Sequence, residues 1–201
     1  MVGLAVGVIA DGEVSFYGHG FADLASKTPV TEDTVFRTGS VTKTFTAVAL
    51  MQLWEQRLID LDAPVNDYLR AYRKIPADPA HRPATARHLL THTSGLPQCA
   101  YLSRAFKPTL GEMVRFGRPL PTLAQYYSGA LHLVTEPGTT HTYSNHGFAT
   151  LGQVVEDLTG DPLHSYFRAH IFEPLGLERT DLARAMSPRC SVVASTSTAR
   201  C

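Results

Sequence analysis

Ser40 and Lys43 stand three residues apart at the head of a long apolar run, in Phe36-Arg37-Thr38-Gly39-Ser40-Val41-Thr42-Lys43-Thr44-Phe45. On a helix, positions i and i+3 share a face, so Lys43 Nζ reaches Ser40 Oγ if the helix begins near Ser40. A serine hydroxyl becomes a useful nucleophile when a neighbour takes its proton or a local field favours the alkoxide. Lys43 supplies the neighbour. A helix N-terminus supplies unpaired N–H groups and a partial positive charge. The pair is one arrangement for acyl transfer. The motif is short, and with 12 Ser and 4 Lys in the chain, chance supplies about a quarter of a Ser-x-x-Lys match. Taken alone, Ser40 reads equally well as a helix cap and Lys43 as a first-turn surface residue.

A second group lies at Tyr143-Ser144-Asn145, between a Pro137-Gly138 turn and a further helical stretch. An unperturbed phenol, with a pKa near 10, is a poor base at neutral pH. Beside a lysine ammonium the phenolate is favoured, and it can then take a serine's proton and return it to a leaving group. Asn145 offers an amide donor and acceptor to a substrate amide. With 8 Tyr and 2 Asn in the chain, chance gives about 0.08 Tyr-x-Asn triples, so this match is the more informative of the two. The competing reading packs Tyr143 in the core and uses Asn145 as a helix cap.

The elements that must position these groups are legible in outline. Residues 4–10 form an apolar run, Asp11-Gly12 is a hairpin turn signal, and residues 13–20 return in alternation, which predicts a two-stranded antiparallel hairpin. Residues 41–56 read as a helix buried on most sides. Asp62 reads as the cap of a short helix with Pro64 in its first turn. Residues 71–84 read as a polar loop, and 85–93 as a short helix ending before Gly95 and Pro97. Thr109-x-x-Glu112 and Thr122-x-x-Gln125 are capping boxes, the second opening a helix toward Leu133. Residues 136–139 read as a turn, 146–159 as a helix closed by Gly160, and Asp161-Pro162 as the start of another ended by Pro174.

Composition bounds the function. A formal net charge of +0 leaves no surplus of Lys and Arg to neutralise phosphates, which argues against nucleic acid as a partner. Cys99, Cys190 and Cys201 are odd in number and far apart, and make neither a disulfide framework nor a metal spacing. His88-x-x-x-His92 has the spacing of a helical metal pair but lacks the Glu after His88 that a zincin needs, so no metal is expected. His141 and His146 flank Tyr143 and read as exposed loop histidines. No segment approaches the roughly 18 apolar residues of a membrane span. The apolar start lacks a basic n-region, which predicts a cytoplasmic protein for the sequence as given, with export the alternative if an upstream segment precedes it.

The two motifs and their surroundings resemble the serine β-lactamase-like family of class C β-lactamases, D-alanyl-D-alanine carboxypeptidases and related esterases. The residues carrying the resemblance include the opening hairpin, Val35-Phe36-Arg37 leading into Ser40-Val41-Thr42-Lys43, and Leu61-Asp62-Ala63-Pro64-Val65. They continue with Leu89-Leu90-Thr91-His92-Thr93-Ser94-Gly95-Leu96-Pro97, Pro137-Gly138-Thr139 before Tyr143-Ser144-Asn145, and Glu173-Pro174-Leu175-Gly176-Leu177. The resemblance runs from about residue 2 to about residue 181. It implies an α+β fold of the β-lactamase/transpeptidase type, with an N-terminal β-hairpin and a mostly helical lobe. It implies a two-step acyl-enzyme reaction on a small-molecule amide or ester, with no cofactor and no metal. Ser40 matches the family's nucleophile, Lys43 the lysine that activates it, Tyr143 the general base, and Asn145 the residue that orients the substrate amide.

One departure stands out. The family carries a third motif, Lys or His, any residue, then Gly, on a strand that supplies a second oxyanion donor. No such strand follows Tyr143, so the C-terminal sheet strands are missing from this sequence. Residues 187–201, with four Ser, two Thr and no acidic residue, lack periodicity and read as a disordered tail outside a domain of residues 1–186. The expectation is a truncated member with impaired activity. The rival expectation is an inactive fragment that serves as an interaction module or has no function.

Overall fold

The computed structural model describes residues 2–97 and 121–182. The Thr109 capping box, the three cysteines and the stretch 187–201 lie outside the described residues. The chain divides into two compact units, one holding the residues up to Gly39 and those from Arg179, the other Ser40–Glu178.

The first unit is a sheet. Strands β1 (Gly3–Ala10) and β2 (Glu13–Asp23) pair antiparallel, with Ala10 opposite Glu13. Asp11 (φ 51°) and Gly12 (φ 85°) both take the left-handed region, as a two-residue type I′ turn demands. The expected hairpin is therefore present. A short strand β3 (Thr28–Pro29), absent from the sequence reading, adds to the far edge of β2. Gly20 cannot be substituted without rearrangement. Its φ is +73°, and a Cβ there would lie 2.2 Å from the Val2 carbonyl oxygen. Ala22 and Val30 are buried, whereas Ile9, Val14 and Tyr17 are exposed.

The second unit is mostly helical. A 3-10 turn (Gly39–Val41) leads into α1 (Thr42–Glu55). Helix α1 buries one face, through Thr46, Ala49, Leu50 and Leu53, and exposes Val48, Met51 and Trp54. This corrects the expectation of burial on most sides. Arg57 closes the helix at φ 61°, and the Leu58 N–H bonds the Leu53 carbonyl in a Schellman turn. Helices α2 (Ala86–Leu90) and α3 (Leu123–Tyr127) both open with capping boxes, at Thr85/His88 and Thr122/Gln125. Helix α4 (Asn145–Thr159) ends at Gly160, φ 80°. Helix α5 (Leu163–Phe167) runs into a π turn (Arg168–Phe172) just before Pro174. One apolar cluster ties these elements together, with Leu50, Leu53, Leu89, Leu131, Leu151, Val154 and Phe167 at most 1% exposed.

Three expectations are corrected. The helix opened at Thr122 stops at Tyr127, because Ser128 (φ 55°) and Gly129 (φ 81°) turn left-handed and redirect the chain. It leads into β5 (Ala130–His132), which pairs in parallel with β4 (Arg73–Ile75) inside the segment read as a loop. Asn66 makes β4 possible there, since its side chain bonds both the N–H and the carbonyl of Lys74. Asp62 caps no helix. Its carboxylate instead takes a two-pronged ion pair from Arg87, at 2.7 and 2.8 Å.

Helix α4 also organises a buried polar cluster. The Thr150 hydroxyl donates to the His146 carbonyl (2.8 Å), and its oxygen faces Lys74 Nζ (2.6 Å) and the Tyr72 hydroxyl (2.7 Å). Lys74 is 3% exposed. Among the described residues no carboxylate pairs with it, and burial pushes its pKa well down. The amine makes one hydrogen bond, to Thr150, at a large desolvation cost. Lys74→Met leaves Thr150 its bond from Tyr72, so it should stabilise the chain by about 1–3 kcal/mol. A lower thermal midpoint for that variant would show the amine to be a net contributor.

His146 is 4% exposed, on α4 and not in a loop, with the Tyr127 hydroxyl 2.8 Å from Nδ1. Burial first, and Lys74 second, push its pKa from 6.5 to about 4. Unfolding releases the ring to protonate near 6.5, so its stabilising effect is whole above that pH and fades as pH falls toward 4. The thermal midpoint should therefore drop between those values. The drop should shrink in His146→Asn, whose amide oxygen can face Tyr127. An equal drop in the variant would assign the acid sensitivity to other groups.

Candidate active site

Ser40 sits in the 3-10 turn that feeds α1, one residue after Gly39 at φ +55°. It stands one place before Val41, the cap residue of that helix. Ser40 Oγ lies 2.7 Å from the Tyr143 hydroxyl and accepts from Lys43 Nζ at 3.1 Å. The i, i+3 geometry expected of Ser-x-x-Lys is realised.

Asn145 is the first residue of α4, one place after the cap residue Ser144. Its Oδ1 accepts from Lys43 Nζ at 2.7 Å. Lys43 therefore touches residues from both motifs, and its Nζ lies 4.8 Å from the Tyr143 ring centre and 5.8 Å from that of Phe148. All four residues singled out in the sequence, Ser40, Lys43, Tyr143 and Asn145, converge within the helical unit.

Tyr143 is 39% exposed and stands on an extended stretch before α4. Its phenol is held below the usual tyrosine range by the neighbouring Lys43 first, then by its hydrogen bond with Ser40, against a smaller opposing effect of burial. A phenol poised this way can exchange a proton with Ser40 along the 2.7 Å contact. Asn145, with Oδ1 held by Lys43, keeps its Nδ2 hydrogens for another acceptor.

The stretch carrying Tyr143 is laced to the turn after α2. The Gly138 N–H bonds the Thr93 carbonyl (2.7 Å), the Thr142 N–H the His92 carbonyl (2.8 Å), and the Val134 N–H the Gly95 carbonyl (2.8 Å). Ser144 Oγ donates to the Pro97 carbonyl at 3.0 Å. Gly95 permits this closeness, since at φ +79° a Cβ would lie 2.2 Å from the Thr135 carbonyl oxygen. Two residues near the site were not foreseen, His92 and Phe148, whose rings lie 5.2 Å apart. Phe148 had a signal in the sequence, three places after Asn145 on the same helix. His92 had none, because its partners lie about fifty residues away. His141 is an exposed loop residue, as expected, with its ring edge-on to His92 at 5.9 Å. His146 turns away to Tyr127. Among the described residues no group of histidines, cysteines and carboxylates could hold a metal ion, and no helix is long and apolar enough to cross a membrane.

Comparison with known proteins shows the family. The Beta-lactamase family model matches residues 1–199. Penicillin-binding protein 4 of Amycolatopsis lactamdurans is 32% identical over 180 residues, covering 89% of this chain and 44% of that protein. Esterase EstB of Burkholderia gladioli is 33% identical over 200 residues, covering 96% of this chain and 50% of that protein. Among solved structures, a β-lactamase/D-alanine carboxypeptidase from Yersinia pestis matches with a TM-score of 0.73 at 26% identity, covering 92% of this chain and 51% of that one. The chain thus spans about half the length of these relatives. The chain belongs to the Beta-lactamase family.

Proposed function

We propose that the protein is a serine hydrolase that transfers an acyl group from an amide or ester to Ser40 and then to water. The observation that carries this reading is the contact of Ser40 Oγ with both the Tyr143 hydroxyl and Lys43 Nζ, at 2.7 and 3.1 Å. Tyr143 as phenolate takes the Ser40 proton while Oγ bonds the substrate carbonyl carbon. The tetrahedral oxyanion collapses, the bond to the leaving group breaks, and that group leaves with the proton held by Tyr143. Water, deprotonated by Tyr143, attacks the acyl-enzyme and releases Ser40 by the same steps in reverse. Lys43 favours the phenolate and fixes Asn145, whose Nδ2 is free to bind a substrate carbonyl or amide oxygen.

The relatives bear the names of a penicillin-binding protein, an esterase and a β-lactamase/D-alanine carboxypeptidase. They support a substrate set of β-lactams, D-alanyl-D-alanine-type peptides and small esters.

Hydrolysis of p-nitrophenyl acetate and of a chromogenic cephalosporin by the 201-residue chain tests the reading. Ser40→Ala should abolish turnover. Tyr143→Phe should lower kcat by about 10²–10⁴-fold with a smaller change in KM. Turnover that survives Ser40→Ala would sink the proposal.

The pH profile has a definite sign. The base acts as phenolate, so the rate should rise as pH climbs through the lowered Tyr143 pKa. Lys43→Ala removes the main cause of that lowering and should move the rising limb to higher pH. A limb left in place by Lys43→Ala would mean that a different group is the base.

A further inference from the structure

We propose that His92 is the positioning residue for Tyr143, with its unprotonated Nδ1 fixing the tyrosine's backbone and its ring backing the phenol. The proposal rests on reading Tyr143 as the base and adds what holds it in place.

Tyr143 needs such a support. It is 39% exposed and lies outside any helix or strand, yet its hydroxyl must stay within a hydrogen bond of Ser40. His92 meets it from both sides along the chain. The His92 carbonyl accepts the Thr142 N–H at 2.8 Å, and its Nδ1 accepts the Ser144 N–H at 3.2 Å. Those are the residues immediately before and after Tyr143. The His92 ring then lies 4.5 Å from the Tyr143 ring, tilted by 36°, with Phe148 5.2 Å away. Backbone and side chain of Tyr143 are thus held by one residue.

His92 reaches this place at a conformational cost. Its φ is +57°, a left-handed conformation for a residue with a full side chain. Such outliers persist where the surrounding structure over-determines them, and they cluster at functional sites.

The contact also fixes a protonation state. An Nδ1 that accepts the Ser144 N–H carries no proton, so the neutral ring holds its hydrogen on Nε2. A doubly protonated ring would set donor against donor. Burial, then the neighbouring His141, then Lys43 keep the ring below the usual histidine range, and Tyr143 as phenolate pulls the other way. At neutral pH the required form is the one present.

The test follows the Tyr143 phenol directly. The chain is labelled with carbon-13 at tyrosine Cζ, and the Tyr143 resonance is assigned by its loss in Tyr143→Phe. It is then titrated in the wild type, His92→Ala, His92→Asn and His92→Phe. Asn keeps an acceptor near Nδ1 and tolerates a left-handed backbone, whereas Phe keeps only the ring. In wild type the phenol should ionise below the ordinary tyrosine range. His92→Ala should move it up toward that range, and each of Asn and Phe should retain part of the lowering. A Tyr143 titration unchanged in all three variants overturns the proposal. Should the Ala variant lose its cooperative melt, the Asn and Phe variants decide alone. Ester hydrolysis measured alongside should show kcat falling about tenfold or more in His92→Ala, with KM little changed and partial rescue by Asn. A wild type without Ser40-dependent hydrolysis, but with the expected titrations, would refute the hydrolase reading and leave the positioning of Tyr143 standing.

Discussion

The arrangement depends on one side chain, Lys43, whose Nζ sits between Ser40 Oγ at 3.1 Å and Asn145 Oδ1 at 2.7 Å. Lys43 joins two helix N-termini, with Ser40 one place before the cap residue Val41 of α1 and Asn145 one place after the cap residue Ser144 of α4, and neither cap residue makes a side-chain cap bond. Those ends carry partial positive charge, which suits a reaction that develops negative charge on oxygen.

The scaffold around Lys43 is rigid where the site needs it. Helices α1 and α4 share one apolar cluster, with Ala49, Leu50, Leu151, Val154 and Val155 essentially inaccessible to water. The Tyr143 stretch belongs to neither helix, and backbone hydrogen bonds to the turn after α2 hold it instead. The site therefore joins two kinds of support, packed helices for Ser40, Lys43 and Asn145, and a laced pair of turns for Tyr143.

Local physics made much of this legible in the sequence. The Ser40/Lys43 contact follows from a three-residue spacing, the hairpin from Asp11-Gly12, the end of α4 from Gly160, and the start of α3 from Thr122 with Gln125 three residues on. Long-range pairing was not legible. Arg73-Lys74-Ile75 looks like loop, and becomes a strand only because Asn66 and the parallel β5 satisfy its backbone. Lys74 and His146 are polar residues that sequence places at the surface, yet Thr150 and Tyr127 give them buried partners. Asp62 lies where a cap would fit and pairs with Arg87 instead. The contact of His92 with Tyr143 spans fifty-one residues and leaves no local signature. In each case the deciding partner lies far along the chain.

The central claim is that Ser40 is the residue that carries the acyl group. Intact-mass spectrometry of the 201-residue chain after incubation with benzylpenicillin or a fluorophosphonate, followed by peptide mapping, addresses it directly. The account predicts a single adduct, located on Ser40 and lost in Ser40→Ala. A folded chain that takes up no adduct from either reagent, or one whose adduct maps to another residue, would contradict it.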